Sequence, residues 1–230
     1  MLCVIKRINI ISITIIFIIS CLTITSYAAT NEIDSITLDA SDYNTSDALE
    51  NNISKYLSNP DIEEVIVITE NTPESYYDFP VKSTHSGVSP LTTSPVYYQI
   101  KNVVKKKDFT GSSDLAAVTG QPGITVSITK TKSVSTTLSA TFGATYKSIS
   151  GAVGWNVTGS TSISIIGSAK VPKTHNGKSV KNMTLHAKSV YKVKRFDVYR
   201  YVPGYTSTKK GTGTTKKAYG VSFTKTYSYR

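Results

Sequence analysis

The chain has 230 residues, 39% of them hydrophobic, with 26 Lys and Arg against 15 Asp and Glu, a formal net charge of +11. That length fits one domain with a small additional unit. Both cysteines, Cys3 and Cys21, lie in a leading apolar segment, so removal of that segment excludes a disulfide, a catalytic thiol and a thiolate metal site from the mature protein.

Residues 1–29 have the pattern of a secretory signal peptide. A basic start precedes an Ile-rich uncharged stretch, and Ser26-Tyr27-Ala28 is a small-x-small cleavage site. We therefore expect a secreted, extracellular protein. Two alternatives stay open: an uncleaved membrane anchor, because the apolar stretch approaches the length that spans a bilayer, and lipid anchoring through Cys21, because the residues before it resemble a lipobox.

Charge divides the mature chain into two regions. Residues 30–80 hold 12 acidic residues and one basic residue, whereas residues 81–230 hold three acidic and 23 basic residues. Residues 80–95 are rich in Pro, Ser and Thr, which is typical of a linker or an exposed processing site. We predict an acidic α/β leader or pro-segment at 30–79, a linker at 80–95 and a basic β-domain at 96–230.

The acidic region contains one predicted helix and one predicted strand. Asp47 and Glu50 form a capping-box pattern at the start of an amphipathic stretch that ends at Asn59. Residues 65–69 are a short apolar run typical of a buried strand. Because these elements cannot bury a core alone, the segment either packs on the basic domain, whose charge complements its own, or is a removable pro-segment. A solvated acidic leader without a further role is the alternative.

The basic domain carries a long stretch with period-two alternation. Apolar residues keep one parity over 124–146 and the other over 149–171. This pattern predicts β-structure and, most simply, a long antiparallel hairpin with its tip at residues 147–148. Lys130 and Lys132 occupy apolar positions, which predicts a bulge, a turn or a strand end there. No helix is predicted in the basic domain.

Further strands follow the hairpin. His175-Asn176-Gly177 predicts a tight turn, because Asn-Gly supplies the positive φ angles of a type I′ turn. Alternation resumes after it and again from Tyr219 onward. We expect seven to nine strands after Val96, and the predicted fold class is mainly β: an antiparallel β-sandwich or elongated β-domain with a small N-terminal α/β segment.

Charge is nearly absent from the predicted hairpin. Between residues 133 and 169 the one charged side chain is Lys147, and Ser and Thr fill most of the polar parity. An apolar face opposite an uncharged hydroxyl face suits a membrane hairpin. An ordinary sandwich with one wet face is the alternative. The side chains expected to face lipid are Val134, Leu138, Phe142, Tyr146, Val153, Trp155, Val157, Ile163 and Ile165.

Lysine clusters interleaved with tyrosines occur in the basic domain. Such surfaces suit anionic membranes or polyanionic wall polymers, whereas a solvated strand face is the simpler interpretation. Nucleic acid is not expected as a partner, because the mature chain has three arginines and lysine lacks their bidentate fork. The residues expected to bind an anionic surface are Lys105, Lys106, Lys107, Lys192, Lys194, Arg195, Lys209 and Lys210.

Catalytic chemistry has few candidates in the mature chain. The histidines and carboxylates of the basic domain are widely spaced, so we expect neither a metal site nor a cofactor. Phosphate-loop and nucleophile-elbow motifs are absent. One enzyme hypothesis remains, a small basic secreted ribonuclease that uses His175 and His186 as acid and base. We otherwise expect a non-enzymatic protein.

The Ser/Thr-rich runs at 124–171, the Val171-Pro172 step and the cysteine-free mature chain resemble the aerolysin-type β-pore-forming toxins of secreting bacteria, specifically the epsilon-toxin and mosquitocidal-toxin group. We expect no separate receptor-binding module of the kind found in that family. The resemblance implies homo-oligomerisation and a membrane target. Two hypotheses follow: a membrane-active, toxin-like protein that forms pores, or a passive cell-surface or wall-polymer-binding β-sandwich.

Overall fold

The computed structural model describes residues 35–69 and 96–230. The predicted signal peptide, Cys21 and the 80–95 linker lie outside these residues. The described chain is mainly β, as predicted, and residues 96–230 contain seven strands. In chain order the elements are β1 (Ser35–Asp39), a 3-10 turn (Ala40–Asp42), α1 (Ser46–Ser58), β2 (Glu64–Ile68), β3 (Tyr97–Gly120), β4 (Thr125–Ser135), β5 (Thr137–Leu138), α2 (Tyr146–Val153), β6 (Ser160–Lys170), β7 (Thr174–His175), β8 (Lys178–Tyr201) and β9 (Thr208–Tyr229).

Three long strands dominate the main sheet. β3, β8 and β9 hold 24, 24 and 22 residues, which corresponds to about 75 to 80 Å of extended chain for each. The strand order is β1-β2-β9-β8-β3, with β1 parallel to β2 and the other neighbours antiparallel. β5 pairs with β9, and β7 pairs with the start of β8. The predicted elongated β-domain corresponds to this sheet.

The tight turn before β8 is the one that the sequence predicts. His175 pairs with Lys178 across the turn, and φ is +49° at Asn176 and +73° at Gly177. Both angles lie in the left-handed region that a type I′ turn requires, and Asn and Gly adopt that region at the lowest cost. The turn thereby fixes the start of the longest central strand.

β4 and β6 form a second, two-stranded sheet, which we call the ribbon. Its eleven antiparallel pairs run from Thr125 opposite Lys170 to Ser135 opposite Ser160, without a register shift. Part of the predicted hairpin is therefore present as a strand pair. The rest of it, including the predicted tip, has another structure.

Lys130 and Lys132 do not interrupt the ribbon, so the prediction of a bulge or strand end there is wrong. They stand opposite Ile165 and Ile163 and share their face. Both isoleucines are fully buried, whereas both lysines are exposed. The long lysine stem can start on an apolar face and still carry its ammonium group to water, so the ladder continues unbroken through both positions.

Two hydrophobic cores lie within the described residues. The large core has 20 buried residues from α1, the ribbon and the main sheet, with Met183, Leu185 and Phe223 among the most deeply buried. The small core packs on one side of β3, β8 and β9. Its seven buried residues are Ala144, Ile149, Val153, Trp155, Val157, Phe196 and Val198.

The acidic segment at 35–69 is part of the large core. Ile53 and Leu57 of α1 and Val65 of β2 are buried there, and β2 pairs with β9. Burial of each such side chain contributes about 1.5 to 3 kcal/mol. Residues 35–69 are therefore packed on the basic strands in this structure.

The N-cap of helix α1 lies two residues before the predicted capping residue, Asp47. Thr45 is the N-cap, and its Oγ1 accepts a hydrogen bond of 3.2 Å from the Ala48 N–H. Asp47 lies inside the first turn, where the positive end of the helix dipole stabilises its negative charge. The helix ends at Ser58 with Asn59 as its C-cap, which confirms the predicted stop at Asn59.

Helix α2 lies where the sequence predicts a hairpin tip and no helix, so that prediction is wrong. The Thr145 hydroxyl caps its N-terminus, and Gly154 ends it with a φ of +82°. Ile149 and Val153 are buried in the small core. Their spacing of four residues fits a helix face as well as a strand face, which is why alternation alone misassigned them.

Candidate functional site

The residues between the two ribbon strands, 136–159, form the first candidate region, which we call the connecting segment. It contains β5, α2 and the loops around them. Backbone pairing continues one step beyond the ribbon, because the Thr136 N–H donates a hydrogen bond of 2.9 Å to the Gly159 carbonyl. Both ends of the connecting segment are therefore held together by the strand pair.

The nine residues predicted to face lipid do not share one surface in this structure. Phe142 and Tyr146 are exposed, with 38% and 56% of their area accessible. Val134 and Leu138 are half-buried. The predicted surface is thus divided between solvent and the two cores. The five buried members are Val153, Trp155 and Val157 in the small core, and Ile163 and Ile165 in the large core.

The ribbon separates apolar and hydroxyl side chains onto two faces. Direct partners in an antiparallel pair lie on the same face of a sheet. Val126 and Ala169 are partners and are buried, whereas Ser133 and Ser162 are partners and are exposed. The ribbon therefore has an amphipathic pattern, with much of its apolar face turned into the large core.

The ribbon register determines which residues would meet if pairing continued into the connecting segment. Counting inward from the last ribbon pair without a shift places Tyr146 opposite Ile149. Lys147 and Ser148 then remain as a two-residue turn, the commonest length for a hairpin loop. This turn coincides with the tip that the sequence alternation predicts.

The same register sorts the connecting segment by polarity. Apolar residues would meet on one face and mostly small polar residues on the other. The apolar pairs are Leu138 with Val157, Ala140 with Trp155, Phe142 with Val153, and Tyr146 with Ile149. The opposite pairs are Thr137 with Thr158, Ser139 with Asn156, Thr141 with Gly154, and Thr145 with Ser150.

Polar contacts hold the connecting segment against the long strands. The Trp155 indole Nε1 donates a hydrogen bond of 3.2 Å to the Thr215 hydroxyl. Lys194 Nζ donates a hydrogen bond of 3.0 Å to the Val153 carbonyl and lies 4.9 Å from the centre of the Trp155 ring. Lys194, predicted to bind an anionic surface, therefore has an internal role.

Helix α1 lies against β6 at the base of the ribbon. The hydroxyls of Ser54 and Ser168 are 3.1 Å apart. The Ser58 hydroxyl accepts a hydrogen bond of 3.3 Å from the Lys170 N–H. These contacts, together with the buried face of α1, anchor the end of the ribbon at Thr125 and Lys170 in the large core.

Lys225 binds the C-terminal end of α1. Its Nζ donates hydrogen bonds of 3.0 Å and 2.7 Å to the carbonyls of Leu57 and Asn59. The negative end of the helix dipole stabilises a cation at this position. Burial lowers the pKa of Lys225 to about 8, while the charges of Asp61 and Glu63 act in the opposite direction.

The second candidate region, which we call the outer face, is the part of one side of the main sheet that extends beyond the large core. Strand register identifies it, because partners across strands share a side and residues two apart on one strand do so as well. Its three central rungs across β3, β8 and β9 are Lys101–Asp197–Thr212, Val104–Arg195–Thr214 and Lys106–Val193–Lys216.

The eight basic residues predicted to bind an anionic surface fall on different sides of this sheet. Lys106 and Arg195 lie on the outer face, and Lys209 reaches it through Asp197. The remaining five do not lie together with them. Lys105, Lys192 and Lys194 lie on the side that carries the small core, and Lys107 and Lys210 lie where the strand register shifts.

Two further lysines of the outer face were missed by the sequence analysis. The Lys101 ammonium lies 5.2 Å from the centre of the Tyr199 ring, and the Lys216 ammonium lies 5.0 Å from that of Phe109. Cation–π contacts of this kind hold a lysine along a ring while its charge stays accessible. The rings on this face are Tyr97, Phe109, Tyr191, Tyr199 and Tyr201.

Asp197 lies at the centre of the outer face, with 5% of its side chain exposed. Hydrogen bonds from Asn102, Lys209 and Thr212, at 2.9, 2.8 and 2.6 Å, hold the pKa of its carboxyl well below the ordinary range. The Arg195 guanidinium lies 3.9 Å from the same carboxylate. The ionised carboxylate therefore positions two of the cationic side chains.

The two histidines considered for RNA cleavage are not neighbours. His175 pairs with Lys178, and His186 lies eight residues further along β8, or about 27 Å away. His186 instead lies 2.8 Å from Asp114 Oδ2 and 2.9 Å from the Thr226 hydroxyl oxygen. The structure does not bring the two imidazoles together as an acid–base pair.

Within residues 35–69 and 96–230, no group of three or more His, Cys, Asp or Glu side chains is arranged to hold a metal ion. Neither helix in these ranges has the length and apolar character needed to cross a membrane.

Comparison with known proteins gives little further information. Neither a protein-family model nor a curated protein sequence matches the chain. Among solved structures, the chain is similar to a protein from Bacteroides vulgatus named "Putative pore-forming toxin", with 6% sequence identity and a TM-score of 0.28. The similarity covers 59% of this chain and 57% of the other.

Proposed function

We propose that this is a secreted, non-enzymatic, membrane-active, toxin-like protein, in which residues 125–170 extend into one hairpin whose far part, residues 134–161, inserts into a membrane. The observation that carries the proposal is the ribbon register, which continues through the connecting segment to a turn at residues 147–148. Extension adds pairs beyond Ser135 and Ser160, and it breaks none of the eleven ribbon pairs already formed. The resemblance to aerolysin-type toxins in this stretch is consistent with the same activity.

The extended hairpin suits a bilayer in length and charge. Residues 134–146 and 149–161 contain no charged side chain. Each leg is longer than the roughly 9 to 11 residues that a tilted membrane strand needs. Lys130 and Lys132 then lie at the start of the legs, at the level of the lipid headgroups, and Lys147 reaches the far surface. The two lysines that do not suit a lipid-facing position are thus placed outside the hydrocarbon.

Insertion requires several copies of the chain. A lone hairpin in lipid leaves the outer edge of each strand without hydrogen-bond partners, and only closed barrels satisfy all of them. We therefore propose a homo-oligomer whose hairpins close into a barrel. The apolar pairs face lipid, and the Ser and Thr pairs face a water-filled interior.

A matched pair of substitutions tests the lipid-facing assignment. Phe142 is exposed with a φ of +49°, a backbone conformation that Asp tolerates, and its neighbour Thr141 lies on the opposite face of the extended hairpin. We expect Phe142→Asp to reduce dye release from phosphatidylserine-containing vesicles by at least about tenfold, because it places a charge on the lipid face. Thr141→Asp should retain most of the release. Equal release by two folded variants would contradict the assignment.

A reversible lock tests whether the connecting segment must leave the main sheet. Thr137 and Lys216 are direct partners across β5 and β9, close enough for a disulfide between cysteines. In mature protein carrying Thr137→Cys and Lys216→Cys, oxidation should abolish dye release, and reduction should restore it to the level that the same protein shows before oxidation. The reduced protein is its own control. Undiminished release from the oxidised protein would reject the extension of the hairpin.

Passive surface binding is the second candidate function, and the outer face is the observation that favours it. A basic strand face can adsorb to an anionic wall polymer or membrane without any conformational change. Such binding should fall as salt is added. Salt-sensitive adsorption of the unmodified mature protein with no dye release under any condition would favour this function over insertion.

A further inference from the structure

The outer face presents five basic side chains on one side of β3, β8 and β9. All five are exposed, and none belongs to the hairpin that the proposed function uses. They lie on consecutive rungs about 7 Å apart along the strands, so the positive charge forms one patch. The five residues are Lys101, Lys106, Arg195, Lys209 and Lys216.

Within residues 96–230, little negative charge opposes this patch. Asp197 is the acidic residue that the register places in the three rungs, and five bases against one carboxylate leave a net charge of +4. The other two carboxylates of residues 96–230 have different partners: Asp108 accepts a hydrogen bond from Tyr219, and Asp114 contacts His186. The patch therefore complements an anionic partner.

Aromatic and aliphatic side chains lie among the bases. Val104 and Phe109 are 50% and 39% exposed. The rings of Tyr97 and Tyr201 lie side by side with centres 6.4 Å apart. Tyrosine is favoured at membrane–water interfaces, where its ring meets apolar material and its hydroxyl meets water. A purely ionic partner would leave these side chains without a role, whereas a lipid interface accommodates both kinds.

We propose that the outer face docks the protein onto anionic phospholipid headgroups. A sheet face presents its cations to a plane of phosphates, and each lysine ammonium binds phosphate oxygens as a point charge. Lys101 and Lys216 are held along rings, and Asp197 fixes Lys209 and Arg195, so the charges are positioned before binding. Less side-chain freedom is then lost on docking.

The docking surface and α2 lie on opposite sides of the same sheet. The small core packs on the side of Phe196 and Val198, and the outer face is the side of Arg195 and Asp197. Docking therefore leaves α2 uncovered and free to leave the small core. The inference deepens the proposed function by naming a lipid class, but docking itself requires no insertion and is measured separately.

Flotation with vesicles measures docking when the mature protein also carries Phe142→Asp, which we expect to suppress insertion. The vesicles are phosphatidylcholine with or without phosphatidylserine. Each lysine near an anionic surface contributes about 1 kcal/mol, so loss of three should weaken binding about a hundredfold. The test variant is Lys101→Ala with Lys106→Ala and Lys216→Ala. The matched control removes three exposed lysines elsewhere, Lys55→Ala with Lys173→Ala and Lys181→Ala.

We expect the control variant to keep its affinity within a few-fold, and we expect binding to require phosphatidylserine. Tyr201→Ala should weaken binding without changing charge. Equal loss in the two triple variants, or equal binding to both kinds of vesicle, would overturn the inference. Binding to heparin in solution with none to phosphatidylserine vesicles would overturn it in favour of a polysaccharide partner.

The two proposals fail in different ways. If unmodified protein docks through the outer face but releases no dye, insertion is rejected and the docking surface stands. If the test variant without Phe142→Asp releases dye and floats with vesicles as well as the control does, the docking surface is rejected and insertion stands.

Discussion

The large and small cores of this protein are built differently. The large core has 20 buried residues and joins the ribbon base, α1 and the main sheet. The small core has seven, and most of them come from α2 and a loop laid on the strands. Opening free energies within a protein are lowest where the fewest apolar contacts hold a region. The comparison indicates that the connecting segment can open while the base of the ribbon stays folded.

Leu185→Ala should produce the largest loss of stability. Leu185 is fully buried in the large core, and truncation of such a residue costs about 2 to 5 kcal/mol because a cavity remains. Urea unfolding should show one transition at a lower midpoint. If instead only the protection of α2 amides changes, the large core is not the part that holds the fold.

Ile149→Ala should act locally. Ile149 is fully buried in the small core, and we expect a cost near the lower end of the same range, about 2 kcal/mol, because α2 can settle toward the sheet. Hydrogen exchange should accelerate in α2 but not in β8, and dye release should become faster. If Ile149→Ala lowered the urea midpoint of global unfolding as much as Leu185→Ala does, the two cores would not be separable.

Two N-cap threonines offer a chemically identical change at each core. Thr45 caps α1 and Thr145 caps α2, each with an Oγ1 that accepts an N–H at 3.2 Å. Replacement of either by Ala should cost about 1 kcal/mol. We expect only Thr145→Ala to speed dye release, since α1 anchors the ribbon and α2 holds the segment that moves in the proposed insertion. Faster release by Thr45→Ala to the same extent would remove that distinction.

The smallest expected effect is the pH dependence of the α1 anchor. Unfolded chain keeps the Lys225 proton up to its ordinary pKa of 10.5, whereas folded protein releases it near pH 8. Between these values the unfolded state binds more protons, so the contribution of Lys225 to the free energy of unfolding rises with pH. Lys225→Gln should remove this rise.

Urea titrations between pH 8 and 9.5 measure the Lys225 effect without interference from Tyr227. Burial raises the pKa of Tyr227 to about 12, so its contribution to stability is present below pH 10 and declines as the pH rises above that value. Lys55→Gln, on the exposed side of α1, is the control. A rise that persists in Lys225→Gln would assign the pH dependence to another group.

Local sequence patterns predicted the elements whose structure depends on local chemistry. The Asn176-Gly177 turn, the end of α1 at Asn59 and the strand at Glu64–Ile68 are in the structure. Alternation also predicted the ribbon, since its eleven pairs need one apolar and one polar face. For α2 the spacing of its apolar residues fits a helix and a strand equally well. The signals that indicate a helix are the capping Thr145 and the left-handed Gly154.

The outer face could not be predicted because β-bulges decide which side chains share it. Register shifts between Lys101 and Val104 and between Lys106 and Phe109 bring odd-spaced residues of β3 to one side. One signal was available: Asn102 lies in the first shift with a φ of +53°, a conformation for which Asn is enriched. Lysines that are neighbours in the sequence, such as Lys105 and Lys106, therefore lie on opposite sides of the sheet.

The last ribbon pair also sets the kinetics of any further strand pairing. Closing a flexible loop costs entropy, and in most hairpins that cost precedes the first hydrogen bond. Here the ribbon already joins both ends of residues 136–159, so each new pair forms beside an existing one and the open loop only shortens. Hairpin formation takes about 1 to 10 μs in free peptides. In the proposed conversion the slow step is therefore the departure of α2 from the small core, and its barrier sets the time for which the protein keeps its packed form.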